Sequence, residues 1–289
     1  MRIIYAILSI LFVFLQSATG LADNDPLDYT QYPAGTNAFV LYYEHAWGHD
    51  MYANGRRTAT DYAYKLNVIA AKLATYRELG GRLYIFEVGV PFVAADLEQA
   101  STGLNLGASS VGDPLFLAAF WPYTNKEAGV QWGVSGWVTL PLGEYDRNKP
   151  MNIGNNRWVF KPETNLTFTP VPGLALEATA AVEMFTDNDS FTAANRTLSR
   201  DPLLTLEGHI SKQVTSELNL SLDYFFHGGG ETFVDEVGRN DAREDHALQT
   251  TVAFPLGQDY FLRLLYRNDF DVENGPQSQT VGLRLSKPF

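Results

Sequence analysis

Glu207, His209 and Ser211 stand two residues apart in the stretch LLTLEGHIS, residues 203–211. On an extended strand, side chains two apart share a face, so a carboxylate, an imidazole and a hydroxyl line up. Those are the residue types of hydrolysis: a nucleophile, a base to take its proton and a carboxylate to orient the base. Leu204, Leu206 and Ile210 fill the alternate positions and claim apolar surroundings. A lipid hydrolase would have to turn the polar face toward lipid instead. The trio is therefore expected in a polar interior, with His209 as a histidine whose hydrogen bonds are satisfied there.

Other candidates are weaker. His45 and His49 lie four residues apart near a strand end, which is not ligand spacing on a helix face, and read as ordinary loop histidines. Asp187-Asn188-Asp189 and the run Asp241 to Asp245 offer the oxygen ligands calcium prefers, yet match no defined calcium loop. They read as solvated acidic loops. GGGE (Gly228 to Glu231) lacks the following helix of a phosphate cradle. The absence of cysteine excludes disulfides, thiolate metal sites and cysteine nucleophiles. A net charge of −12 argues against nucleic acid as a partner, which calls for a basic face. No metal, no cofactor and no catalytic residue is expected.

The elements that would position these residues are strands. Leu218, Leu220, Leu222, Tyr224 and Phe226 alternate with Asn219, Ser221, Asp223 and Phe225, and Tyr260, Leu262, Leu264 and Tyr266 with Phe261, Arg263, Leu265 and Arg267. This is the period of two-faced strands. It marks about twelve segments, near 36–47, 60–77, 81–93, 112–122, 128–141, 156–169, 173–186, 202–214, 217–228, 245–256, 258–270 and 278–289. Most have the length of membrane-crossing strands, about 9–11 residues, rather than the 5–6 of soluble sheets. Tight connections at Leu79-Gly80, Pro170-Val171-Pro172, Thr215-Ser216 and Gly257 alternate with long polar ones, as in barrels with periplasmic turns and extracellular loops. The fold class expected is all-β: a transmembrane antiparallel up-and-down barrel of about twelve strands, of the Gram-negative outer-membrane type.

Residues 1–22 read as a signal peptide: Arg2, an apolar run from Ile3 to Leu15, then small residues before Asp23. The domain reading is signal peptide 1–22, N-terminal lead 23–35 and barrel 36–289. The last strand must pair with the first so that no backbone edge faces lipid. Phe289 is expected to be the end-signal read by the barrel-assembly machinery.

Inward charges are expected to segregate. Lys65, Arg263, Arg267 and Arg284 make a basic sector, and Glu177, Glu183 and Glu207 an acidic one, with Glu44, Glu87 and Lys161 breaking the pattern. Trp121, Trp132, Tyr62, Tyr64, Tyr260 and Tyr266 are expected in the aromatic girdles at the bilayer interfaces, and Trp137 could face inward.

Several stretches go beyond a generic barrel: YPAGTNAFVLYYEH (32–45), GDPLFLAAFWP (112–122), NIGNNRWVFKPE (152–163), DPLLTLEGHIS (201–211), GGGETFVDEVGRND (228–241) and VENGPQSQTVGLRLSKPF (272–289). In this order they resemble the outer-membrane transporter family named for the meta-cleavage pathway of phenol degradation. The resemblance implies a barrel that moves small molecules across the outer membrane, and it carries no catalytic residue over. The expectation is a passive channel for small, aromatic or hydrophobic solutes, reached through a cleaved signal peptide and set among outer-membrane lipids and lipopolysaccharide. The alternatives are a lipid-modifying hydrolase and a structural or surface-interaction barrel without transport.

Overall fold

A computed structural model describes residues 23–289, so the signal-peptide expectation lies outside the described residues. Twelve strands form the wall: β1 Asn37–Ala53, β2 Tyr62–Leu79, β3 Arg82–Gln99, β4 Leu115–Asn125, β5 Val130–Thr139, β6 Val159–Val171, β7 Leu174–Phe185, β8 Leu203–Gln213, β9 Asn219–Gly229, β10 Arg243–Leu256, β11 Tyr260–Asp271 and β12 Gly275–Pro288. Each pairs antiparallel with its neighbours, and β1 closes on β12 from Ala38↔Pro288 to Tyr52↔Gly275. Beyond the last paired strand residue, Phe289 N–H donates to the Asn37 carbonyl at 2.8 Å. Closure leaves no free wall edge, which a sheet in lipid requires.

Alternation divides the side chains as the sequence implies. Leu73, Phe86, Phe116, Leu166, Leu206 and Leu222 are exposed on the outer surface, while Lys161, Glu163, Glu177, Glu207, His209 and Asp223 are buried inside. Trp132, Tyr260 and Tyr266 stand on the outer surface as girdle residues should.

The two ends of the barrel differ. At one end the links are tight; Gly80 and Gly81, with φ of 58° and 76°, make a two-residue turn that needs the left-handed region twice. At the other end the links are long, except for residues 272–274 between β11 and β12. These links carry structure of their own. Leu104–Val111 continues the wall beside the upper half of β3, pairing Phe92↔Val111 to Gln99↔Leu104. Asn188–Phe191, Arg196–Arg200, Thr232–Val234 and Val237–Gly238 form a separate four-stranded sheet. Asp113 fixes the 140–158 link by accepting from the backbone N–H groups of Gly143 and Asn155, both at 2.8 Å.

In outer-membrane barrels the long loops face outward and the tight turns face the periplasm. A cysteine placed at Glu236 should therefore react with a membrane-impermeant maleimide on intact cells, and one at Ser216 should not. The reverse labelling would invert the barrel.

Candidate functional site

The lumen is built from two unlike halves. At the long-loop end, Met51, Tyr62, Tyr64, Leu66, Val68, Val93, Leu97, Met151 and Ile153 pack into an apolar cluster. Across from it, β6 to β12 present charged and polar groups. Between them runs residues 23–35, the segment expected only to lead into the barrel. It enters at the tight-turn end, where Gly35 N–H donates to Tyr76 O at 2.8 Å. It reaches as far as His227, whose Nε2 lies 3.0 Å from Asp23 Oδ1 near the long-loop end of β9.

The sequence of this segment explains its seat. Asp25-Pro26-Leu27-Asp28 is a turn closed by Asp28 N–H to Asp25 O at 3.2 Å, with Leu27 at a φ of 66°. Proline second and a positive φ third is the pattern of a type II turn. The turn brings Asp25 and Asp28 onto the same pair of arginines. Arg284 Nη1 lies 2.9 Å from Asp25 Oδ2 and also contacts Asp28, and Arg263 Nη1 lies 2.9 Å from Asp28 Oδ1. Arg267 Nη1 takes Asp23 Oδ2 at 2.6 Å, and its Nε holds Asp269 Oδ1 at 3.2 Å.

The opposite side of the segment satisfies the acidic sector. Asn24 donates to Glu207 from its backbone N–H at 3.2 Å and from Nδ2 at 3.0 Å, and Leu27 N–H donates to Glu177 Oε2 at 2.8 Å. Tyr29 OH sits 2.8 Å from Glu163 Oε1 and 2.9 Å from Ser135 Oγ, and Trp121 Nε1–H donates to Tyr29 O at 3.2 Å. Arg263, Arg267 and Arg284 of the expected basic sector, without Lys65, and Glu177 and Glu207 of the expected acidic one point into the lumen. They meet through the segment rather than across open water: its carboxylates take the arginines, and its amide and hydroxyl donors take the glutamates. Glu183 stands higher, at the level of Leu203.

Three expectations are corrected. Lys65 is exposed on the outer surface; Lys72 is the lumen lysine of β2, with Nζ 3.3 Å from Glu87 Oε2 and over the Tyr42 and Trp137 rings at 5.1 and 5.2 Å. Tyr62, Tyr64 and Trp121 are buried inside rather than in the girdles. His45 and His49 lie within β1, not in a loop; His45 is on the outer surface, with Nδ1 2.9 Å from Asn67 Oδ1.

The trio on β8 does face the lumen. His209 Nδ1 lies 3.0 Å from Asp223 Oδ1 and its Nε2 3.4 Å from Glu207 Oε2. Both ring nitrogens are engaged by carboxylates, so neither is left to take a proton from Ser211. The acidic loop residues are likewise used internally: Asp241 accepts from Thr232 N–H at 2.7 Å, and Asp189 from Thr197 Oγ1 at 3.1 Å. Among the described residues no His, Asp or Glu group is placed to hold a metal ion.

Two cavities flank the segment. The upper, about 60 Å³, is lined by Asp23, Glu44, His227, Arg243 and Arg267. The lower, about 410 Å³, lies toward the tight-turn end between Tyr29, Lys72, Tyr76, Trp121 and Trp137 on one side and Arg263 and Arg284 on the other. At the long-loop mouth, Arg157 and Arg200 both lie over the Phe185 ring, at 5.4 and 4.4 Å. Neither forms an ion pair among the described residues, and burial holds their pKa values down, to about 10 and about 9.

The chain is similar to an outer membrane channel from Pseudomonas putida F1, at 25% identity over 92% of this chain and 100% of that one, with a TM-score of 0.88. It shares the fold of the transport unit of the autotransporter AIDA-I from Escherichia coli at 10% identity over 96% of this chain and 97% of that one, with a TM-score of 0.55. No curated protein matches it. The family model for the MetA-pathway of phenol degradation matches residues 49–285. A closed twelve-stranded outer-membrane barrel with that match places the chain in one family: it belongs to the MetA-pathway of phenol degradation family.

Proposed function

We propose that this protein is a passive outer-membrane channel for small solutes, closed in the present conformation by residues 23–35. The observation that carries this reading is the seat of that segment. It fills a polar lumen through ion pairs and single hydrogen bonds, yet contributes no strand to the wall. An element held in this way can leave without opening the barrel.

The 410 Å³ cavity supports a size and class of solute. A cavity of about 150 Å³ holds a benzene ring, so this one suits a single substituted ring with its water. Its aromatic wall at Tyr76, Trp121 and Trp137 favours such a ring. Hydrolysis is the less supported reading, because His209 is held between two carboxylates.

The test is single-channel recording of the purified, refolded chain beside the same chain lacking residues 24–34. The full chain should show a small conductance with brief larger openings, and the shortened chain a steady conductance several times larger. No conductance from either would refute the channel and leave a structural barrel.

A further inference from the structure

Arg263 and Arg284 differ from the other lumen cations. Lys72 has Glu87 on the wall, Lys161 has Glu163 at 3.0 Å, and Arg267 has Asp269 in addition to Asp23. Among the described residues, Arg263 and Arg284 pair only with Asp25 and Asp28, both of the inserted segment. When the segment leaves, these two guanidiniums on adjacent strands lose every carboxylate they hold.

They border the larger cavity. Its charged lining is Lys72, Arg263 and Arg284 against Asp28, Glu87 and Glu217, and Asp28 is the one carboxylate among them that leaves with the segment. The closed cavity is balanced; the opened one carries a positive excess at the arginines. Facing it are Tyr76, Trp121 and Trp137, with Trp137 already under the Lys72 ammonium.

We infer that Arg263 and Arg284 form a binding site for the carboxylate of a small aromatic acid, and that Asp25 and Asp28 occupy this site as a tethered competitor in the closed channel. The inference rests on the channel reading above and names its solute. A planar carboxylate matches the guanidinium fork and is the group already bound there. The ring would lie in the aromatic part of the cavity, within reach of Lys72. At the opposite mouth, Arg157 and Arg200 repeat the combination of guanidinium and aromatic ring without a carboxylate of their own.

Competition sets the scale of response. A short tether gives the segment an effective concentration of order millimolar, so a free solute must reach that range to displace it.

The experiment records the full-length protein in planar bilayers with benzoate, benzyl alcohol or benzylamine at ~1–20 mM, the range set by that competition. Benzoate should raise the open probability several-fold, while the neutral and cationic analogues leave it unaltered. The double variant Asp25→Asn/Asp28→Asn should open without benzoate and favour anions over cations. Adding Arg263→Gln and Arg284→Gln to that variant should keep it open while removing the anion preference and any interruption of current by benzoate. Equal responses to benzoate and benzyl alcohol in a conducting wild-type barrel would overturn the inference and leave the channel intact. Silence of the wild type and of the Asp25→Asn/Asp28→Asn protein under all three solutes would instead sink the channel reading itself.

Discussion

Gly133→Val should turn the closed channel into an open one, with a conductance several times that of the wild type. A side chain at position 133 would begin 2.3 Å from Cδ1 and 2.6 Å from Cε1 of Tyr29, far inside contact distance. The glycine is in β5, an extended strand where valine is among the favoured residues, so the wall has no reason to distort. What must move is the Tyr29 ring. It cannot shift slightly, because its hydroxyl holds Glu163 and Ser135, its carbonyl holds Trp121, and it belongs to one buried apolar cluster with Ala74, Tyr76 and Ile85. Expulsion of Tyr29 releases the middle of the inserted segment. Gly136→Val is the control: a side chain there meets nothing within 4 Å, and conductance should stay at the wild-type level. Equal currents from both variants would mean that Tyr29 does not hold the channel shut.

Asp223→Ala should be the most damaging single change to stability in the lumen, costing about 3–5 kcal/mol, the range for removing one partner of a buried charged pair. Asp223 is fully buried, and its carboxylate accepts from His209 Nδ1, Ser221 Oγ, Thr251 Oγ1 and Gln249 Nε2. Alanine strands all of these donors in a site closed to bulk water, and unmet buried donors cost more than a made bond contributes. It also leaves Glu207 as the remaining carboxylate beside His209. Asp223→Asn keeps an acceptor oxygen in place and should cost distinctly less. The measurement is the urea midpoint of the folded band in lipid vesicles. A midpoint for Asp223→Ala within error of wild type would mean that water replaces the lost carboxylate.

The wall was legible because period two is imposed by the bilayer itself: a guanidinium at mid-membrane outside the barrel costs about 2–4 kcal/mol, so Arg263, Arg267 and Arg284 had to face in. Lys65 misled for the same reason applied one step short. It lies seven residues from Lys72, an odd separation, so only one of the two can face the lumen. Lys72, between Ala71 and Leu73 on the exposed face, is the one in the crossing part of β2; Lys65 lies toward the long-loop end. The same parity sends Tyr62 and Tyr64 inward with Lys72. Residues 23–35 carry no period, and alternation is blind to them. The signal present was compositional: Asp23, Asp25 and Asp28 ahead of a barrel expected to hold three inward arginines.

The inserted segment also bears on the timing of assembly. Asp23 meets Arg267 across 244 residues of chain, and Asp25 meets Arg284 across 259. Neither contact can exist until β11 and β12 have been made, and contacts so distant in sequence form late. Wall closure, which pairs Ala38 with Pro288, spans as much chain, so closure and docking both belong to the last stage of assembly. On the channel reading, a copy whose wall closed before docking would be an open hole in the membrane. The tether shortens that moment: a segment of about ten residues explores its loop in roughly 10–100 ns, so docking can follow closure with little delay. On the channel reading, a newly inserted barrel would leak only briefly before its own chain seals it.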